Sequence, residues 1–285
     1  MFPKPINTFS PKYQLIYKIV LPIVLIIWLL PLIAIFLTSV RSAADINTGN
    51  VFGWPSQFLL IENYSEIFKR SKAILYLKNS FLITIPTVIL SVSLACLAGY
   101  ALAIYRFRWS LPLFFIFVAG NFIPFQILMI PVRDMSVSTG LYNTISGQVL
   151  FHAAFQTGFC TFFMRNFIKA LPFELIESGR IEGVSEAKIF LYIVLPLVRP
   201  ALAALAVLIF TFVWNDFFWS LVLTPASPDG MLAPAGLNNI IRGRFYNAWN
   251  VMAAGSLLVA LPPVVMFFLL QKQFIAGLTL GANKG

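Results

Sequence analysis

The sequence predicts an all-α, polytopic membrane protein, and three observations lead to this fold class. Hydrophobic residues make up 59% of the 285 residues, above the roughly 45–50% typical of soluble domains, and the mean hydropathy is +0.86. Charged residues make up only 11% of the chain. Six runs with little or no charge approach the ~20 residues that a helix needs to cross a bilayer: Ile19–Val40, Asn79–Tyr105, Trp109–Val132, Gly147–Met164, Pro200–Leu223 and Phe245–Gln271.

The polar segments between these runs predict the topology. Lys and Arg near the ends of membrane helices favour the cytoplasmic side, and both the amino terminus and the short connector with Arg106 and Arg108 are basic. With six spans, both termini are expected in the cytoplasm. The sequence therefore predicts one membrane domain over residues 1–285, with inner segments 1–18, 172–188 and 272–285 and an outer loop at 41–78.

The formal charge of +10 does not indicate nucleic acid. The basic residues are scattered along the span ends instead of forming one patch with aromatic platforms, so topology and anionic lipid headgroups explain the charge better. Cys96 and Cys160 lie inside apolar runs, where thiols behave as small hydrophobes. His152 is the sole histidine, and without Cys or carboxylate neighbours it predicts a packed or hydrogen-bonded helix residue, not a metal site.

The segment from Glu174 to Pro200 concentrates charge in a chain that otherwise has little. A helix is expected to begin near Glu174, because Pro172 suits a first turn and a carboxylate favours the positive helix end. Gly183 then permits a reversal and Ser185 caps a second short helix. Leu175, Ile176 and Ile181 are expected to turn inward, with Glu177 and Arg180 toward water.

The spacing in this segment adds a family resemblance. Glu177-Ser178-Gly179, then Gly183, then Ile193 and Leu195-Pro196 resemble the EAA loop of permease subunits of binding-protein-dependent ABC importers. Ser178 and Gly179 stand where that family usually has Ala-Ala, which weakens the first helix by up to ~1 kcal/mol at Gly179. The stretches Phe212–Leu223, Gln271–Gly285 and Gly140–Thr144 are similar to the branch of the family that imports carbohydrates.

The resemblance implies a function in which this chain is not an enzyme. It would form half of the path for an oligosaccharide, glycoside or polyol in the bacterial inner membrane, beside a homologous six-span permease. An external binding protein would deliver the solute, and a dimer of ABC ATPases would bind ATP and Mg²⁺, since the chain has no nucleotide-binding loop of its own and no cofactor is expected on it. The residues implied in coupling to the ATPase are Glu177, Ser178, Gly179, Arg180, Glu182, Gly183, Leu195 and Pro196. Glu177 would dock by pairing with a basic residue of the ATPase; the alternative is that Glu177 pairs with Arg180 one helical turn on.

Candidates for the path or its gate are polar or aromatic residues in the apolar runs. Asp216 at membrane depth must face protein or water; it could line the path, or tie adjacent helices together near the outer interface. The amides could bind a hydroxyl-rich solute or link helices. The full set is Asn121, Gln126, Gln156, Phe159, Asn215 and Asp216.

Two other classes of protein compete with the importer subunit. A stand-alone ion-coupled transporter or channel for a polar solute would be expected to carry several intramembrane carboxylates or broken-helix ion sites, whereas only Asp216 qualifies. An intramembrane enzyme would need a nucleophile paired with a base, or a metal cluster, and the sequence has no visible candidate.

Overall fold

The computed structural model describes residues 8–70, 72–243 and 248–282, with side chains for residues 8–69, 72–239 and 248–272. Residues 1–7 of the predicted inner segment 1–18 and residues 283–285 of the predicted tail lie outside the described residues. Within those ranges the regular secondary structure is helical throughout, with no strand. The prediction of an all-α chain is confirmed.

The chain divides into two compact units, Met1–Arg70 with Ile241–Leu257 and Ser71–Ile240 with Leu258–Gly285. The first unit contains helices α1 (Pro11–Val40), α2 (Ala43–Asn47) and α3 (Leu60–Arg70). The second contains α4 (Ala73–Ile104), α5 (Ser110–Gly120), α6 (Met129–Ser138), α7 (Ile145–Ile168), α8 (Glu174–Ile181), α9 (Glu186–Ile189), α10 (Leu195–Leu197), α11 (Arg199–Trp214), α12 (Phe218–Leu223) and most of α13 (Ala233–Gly243). The last helix, α14 (Trp249–Ala282), begins in the first unit and ends in the second.

The part of the predicted outer loop that lies in the first unit, residues 41–70, is held by a buried amide. Asn63 donates to the carbonyl oxygens of Ser39 (2.9 Å) and Arg41 (3.0 Å), and its own oxygen accepts from Asn250 (2.8 Å). The buried Arg41 guanidinium donates to the carbonyl oxygen of Asn50 at 2.6 Å. These bonds satisfy polar groups that would be costly to bury unpaired, so the loop is an ordered structure.

In the second unit, α4 and α7 pack closely against each other, and α11 packs on α4. A Cβ atom on Gly99 of α4 would lie 2.9 Å from both Arg165 N and Met164 Cβ of α7. Glycine is therefore required for this approach, as small residues are in many membrane-helix contacts. The core between these helices includes Ile83, Met164 and Leu205, all buried.

Three helices among the described residues are long and apolar enough to span a membrane: Pro11–Val40, Ala73–Ile104 and Trp249–Lys272. Two bent pairs raise the number to five if each is one span: Ser110–Gly120 with Phe125–Ser138, and Glu186–Leu197 with Arg199–Trp214. The predicted fourth run, Gly147–Met164, is helical as part of α7 but is not among these five. Its buried Gln148, His152 and Gln156 make it more polar than the other runs.

The predicted third run, Trp109–Val132, is not one straight helix. Helix α5 ends at Gly120, and the chain turns by 90° before a 3₁₀ turn at Phe125–Leu128 leads into α6. Pro124 lies in this break, where its missing N–H and fixed φ oppose a continuous helix. Helix α6 then continues to Ser138, beyond the predicted end of the run at Val132.

Candidate coupling hairpin and membrane cavity

Residues Glu174–Leu197 form a helical hairpin, called the coupling hairpin below. Helix α8 begins at Glu174 as predicted and ends in a Schellman motif, in which Val184 N–H donates to Gly179 O and Gly183 N–H donates to Arg180 O, both at 3.0 Å. This motif places its glycine in the left-handed region, and Gly183 has φ of +76°. The predicted glycine reversal is confirmed.

The second arm of the hairpin runs through α9, a π turn at Phe190–Val194 and α10. Ser185 is the N-cap of α9 as predicted, but its side chain makes no capping hydrogen bond. Leu195 is half-buried and Pro196 exposed in α10. The chain bends by 72° between Glu186–Leu197 and α11, so Leu195-Pro196 lies where the hairpin joins the predicted fifth span.

The two arms pack through Ile176 and Gly179, which are buried. A Cβ at Gly179 would lie 3.1 Å from Ile193 Cδ1 and 3.4 Å from Ile189 Cγ1. Gly179, which departs from the family pattern, therefore packs against Ile193, which keeps that pattern. The expectation that Leu175 and Ile181 also turn inward is wrong: Leu175 is 41% and Ile181 82% exposed, because α8 is a single short helix with one narrow packed face.

Glu186 anchors the hairpin to the end of α4. Its carboxylate accepts hydrogen bonds from Arg180 Nε (2.6 Å), Tyr105 OH (2.7 Å) and Tyr100 OH (3.0 Å). The bond from Arg180, with those from the two tyrosines, lowers the pKa of Glu186, which lies outside the predicted spans, to about 2. The carboxylate is therefore charged at any physiological pH and joins the side chains of Arg180, Tyr105 and Tyr100.

The sequence did not identify this cluster. It predicted Arg180 only as a coupling residue or as a partner of Glu177, whereas Arg180 pairs with Glu186. Tyr100 and Tyr105 lie more than eighty positions before Glu186, so no local pattern connects them. The one available signal was the unusual density of charge around Glu186.

The predicted docking face of α8 is exposed. Glu177, Ser178 and Glu182 are exposed, and Ser178 Oγ donates to Leu175 O at 3.2 Å. Within the part of the chain that the structure describes, the Glu177 carboxylate makes no hydrogen bond or ion pair. The alternative in which Glu177 pairs with Arg180 is therefore not observed.

A cavity of about 720 Å³ lies in the second unit, between α7, α11, α12 and the 3₁₀ turn before α6; we call it the α7–α11 cavity. Of the predicted path residues, Asn215 and Asp216 line it. The Asp216 carboxylate accepts from the backbone N–H groups of Ser220 (2.9 Å) and Trp219 (3.4 Å), so it caps the first turn of α12. His152, which the sequence predicts to be a packed or hydrogen-bonded helix residue, lies in α7 and lines the same cavity.

The other four predicted path residues do not line this cavity. Asn121 is exposed at the end of α5 and donates to Phe117 O at 2.8 Å, and Gln126 is exposed in the 3₁₀ turn. Gln156 is buried in α7, with no partner for its Nε2 among the described residues. Phe159 is 37% exposed on the same helix.

The cavity is not arranged as a metal centre. Across the described ranges, no three His, Cys, Asp or Glu side chains are grouped closely enough to hold a metal ion. Its walls are largely aromatic and aliphatic, and His152, Thr211, Asn215 and Asp216 are the polar residues among those that line it. Such a composition is typical of sites for small molecules.

Comparisons with known proteins extend over nearly the whole chain. The family described as "Binding-protein-dependent transport system inner membrane component" matches residues 67–279. The arabinooligosaccharides transport system permease protein AraQ of Halalkalibacterium halodurans is 34% identical over 280 residues, covering 97% of this chain and 98% of that protein. The osmoprotective compounds uptake permease protein GgtD of Synechocystis is 33% identical over 264 residues, covering 90% and 88%.

A solved structure has the same fold. It is that of a bacterial ABC transporter involved in the import of the acidic polysaccharide alginate, with a TM-score of 0.78, 23% identity, and coverage of 93% of this chain and 99% of the other. The helical hairpin with its glycine reversal and the apolar helices agree with the family match over residues 67–279. The chain belongs to the family of inner membrane components of binding-protein-dependent transport systems.

Proposed function

We propose that this chain is one of two homologous permease subunits of an ATP-driven importer that carries a carbohydrate across the bacterial inner membrane. The observation that supports this most is the coupling hairpin, because it combines the family's motif residues with an exposed face. Six spans would be formed by α1, α4, the bent pair of α5 and α6, α7, α11 and α14, as one membrane domain with both termini in the cytoplasm. The predicted inner segments 1–18, 172–188 and 272–285 would then lie on the ATPase side.

The hairpin is the proposed site of coupling. A dimer of ATPase subunits would bind ATP and Mg²⁺, so hydrolysis would occur outside this chain. Glu177, with no partner among the described residues, would pair with a basic residue of the ATPase, and the exposed Ile181 would enter an apolar pocket beside it. Glu186 would transmit the movement of α8 to α4, since its carboxylate joins Arg180 to both tyrosines.

The solute is proposed to be a neutral, hydroxyl-rich compound delivered by an external binding protein. One relative is named for arabinooligosaccharides and another for osmoprotective compounds, so the solute would be a sugar or another polar organic compound. The path is proposed to include Asn215 and Asp216, with Asn121, Gln126, Gln156 and Phe159 as further path or gate residues. Lipid would surround α1, whose side chains are largely exposed.

Co-purification tests the assembly. The tagged chain is extracted from its native membrane in mild detergent, and the proteins that accompany it are identified by mass spectrometry. We expect a second permease and an ATPase with a nucleotide-binding loop. A monodisperse preparation of this chain alone would contradict the proposal and favour a stand-alone transporter or channel.

Uptake tests the solute. The co-purified complex is reconstituted in liposomes with its binding protein, and uptake of labelled arabinotriose, maltose, trehalose and glycine betaine is measured with and without internal ATP. ATP-dependent uptake of one of the saccharides supports the proposal. ATP-dependent uptake of glycine betaine alone would keep the importer and reject the carbohydrate.

A further inference from the structure

His152 is a buried polar side chain in the wall of the α7–α11 cavity. Its side chain is 2% exposed, and it lines the α7–α11 cavity. Among the described residues its Nε2 atom has no hydrogen-bond partner. The nearest carboxylate oxygen, Asp216 Oδ2, lies at 3.7 Å, too far for a direct hydrogen bond. A buried polar atom left without a hydrogen bond is unfavourable, so a missing partner is expected.

The chemistry of the two groups selects the partner. Asp216 accepts two backbone N–H bonds and has lone pairs left, so it requires a donor. His152 Nε2 requires an acceptor or a donor according to its tautomer. A hydroxyl group does both, and one oxygen can lie about 2.8 Å from each of two atoms that are 3.7 Å apart. A solute carboxylate has no proton to donate to Asp216, and a solute ammonium has no lone pair to accept a hydrogen bond from a protonated Nε2.

The remaining walls fit a ring. Phe155, Phe218 and Trp219 line the cavity together with Phe125, and Phe125 packs edge-on against Phe218 with ring centroids 5.5 Å apart. Aromatic side chains offer flat apolar faces to the C–H face of a sugar ring, while a few polar groups in an apolar site fix the orientation of the ligand. The volume of about 720 Å³ is within the range of roughly 300–1,000 Å³ for small-molecule sites.

We infer that the α7–α11 cavity is a subsite for one ring of the transported saccharide, with a ring hydroxyl hydrogen-bonded between His152 and Asp216. The inference rests on the proposed function and adds to it a direct solute contact in this subunit. A lipid acyl chain would fill the aromatic part but leave both polar groups unpaired. Water would satisfy the polar groups but leave the aromatic faces unoccupied.

Saturation-transfer NMR tests the subsite directly. The chain, purified with the subunits that accompany it and placed in lipid nanodiscs, is titrated with arabinotriose, maltose and trehalose as probes. We expect transfer from aromatic protons to the ring protons of at least one saccharide. In His152→Leu the affinity falls about tenfold, the factor expected for one lost hydrogen bond, and His152→Gln, which can donate and accept, recovers most of it.

Matched variants separate recognition from packing. Like His152, Thr161 is a buried residue of α7 with a polar atom that has no partner among the described residues. Thr161 does not line the cavity, so we expect Thr161→Val to leave saccharide binding unchanged. His152→Phe keeps an aromatic ring against Phe151, whose ring centroid lies 5.4 Å away. If His152→Leu fails to assemble, His152→Phe carries the same expectation of about tenfold weaker binding.

The outcomes distinguish the subsite from the importer. Equal saccharide affinity in the wild type and His152→Leu, transfer only to lipid acyl protons, or no transfer to any saccharide would overturn the subsite. Liposome uptake with an unchanged KM in His152→Leu would also overturn it while leaving the importer intact. Ring contact that depends on His152, in a complex that takes up no saccharide, would support the subsite and reject the proposed function.

Discussion

The coupling hairpin and the α7–α11 cavity differ in how they satisfy polar side chains. In the hairpin, the Glu186 carboxylate accepts bonds from three side chains within 3.0 Å, and the residue without a described partner, Glu177, is exposed. In the cavity, the residue without a described partner, His152, is buried. Each region thus has a polar side chain without a partner among the described residues, exposed to solvent in the hairpin and buried in the cavity.

This difference in exposure determines how strongly an absent hydrogen-bond partner indicates a binding partner. An exposed carboxylate is hydrated by water, so the missing partner of Glu177 has little cost, and the support for docking comes from its position in the motif. A buried imidazole nitrogen has no such solvent, so its missing partner is informative by itself. Variants of the hairpin test whether it acts on the ATPase through one exposed charge while its internal contacts only maintain its conformation.

The largest effect is expected for Glu177→Arg. The change places a like charge against the basic partner proposed on the ATPase, and loss of such an interfacial pair costs 2–5 kcal/mol. Uptake is therefore expected to fall by about tenfold or more, with ATP hydrolysis and the amount of protein in the membrane retained. Uptake and hydrolysis are measured in the same proteoliposomes.

Glu174→Arg is the matched control, because Glu174 is also an exposed acid of α8 but lies outside the motif. We expect its uptake to stay within about twofold of the wild type, since surface charges contribute little. Wild-type uptake by Glu177→Arg, or an equal loss in both variants, would argue against docking through Glu177.

Gly183→Ala tests the shape of the hairpin. Gly183 has φ of +76°, and a side chain in the left-handed region costs about 1–2 kcal/mol. Because no described atom lies within 4 Å of the added Cβ, strain is the whole effect. We expect a lower thermal unfolding temperature in detergent and a lower ratio of solute transported to ATP hydrolysed.

Gly140→Ala is the comparison for that variant. Gly140 has φ of +71° and equally open surroundings in the described structure, but it lies between α6 and α7, away from the hairpin sequence. A similar loss of stability without a change in the transport ratio is the expected result. If both variants change the ratio equally, general destabilisation and not hairpin geometry is responsible.

The sequence was sufficient for the hairpin because its signals are local. The acidic helix start, the glycine at the reversal and the following Leu195-Pro196 lie close together in the chain, and each has one conformational consequence. Gly183 could be predicted from its need for positive φ. The helical class followed just as directly, since apolar runs of this length have few other stable forms in lipid.

The cavity and the Glu186 cluster could not be predicted in the same way. His152 and Asp216 lie on α7 and just before α12, and Glu186 meets tyrosines at the end of α4, so tertiary packing alone brings them together. The break after α5 was also missed, because Trp109–Val132 has no charged residue to interrupt the run. A proline there shapes the chain without changing its hydropathy.

A smaller effect is expected for the Arg180–Glu186 pair. Its side chains are 33% and 41% exposed, so water screens the attraction, and a double-mutant cycle with Arg180→Met and Glu186→Gln is expected to give a coupling of about 1 kcal/mol. Thermal unfolding in detergent measures it. The exposed pair Arg133–Asp134, with N–O 3.7 Å, should give close to zero, and equal couplings in the two pairs would remove the special role of Glu186.

The smallest effect, and the one whose sign is least obvious, is expected for Gly179→Ala. Alanine favours α8 by up to ~1 kcal/mol, but its Cβ would lie 3.1 Å from Ile193 Cδ1. That atom is the terminal methyl of a flexible side chain, so we expect it to move by a few tenths of an ångström at low cost, leaving a net stabilisation of about 0.5 kcal/mol. Thermal unfolding of Gly179→Ala and of Gly179→Ala with Ile193→Val separates the two contributions. If the single variant is destabilised and the double variant recovers, packing against Ile193 outweighs helix propensity, and glycine at this position is required by the contact between the two arms.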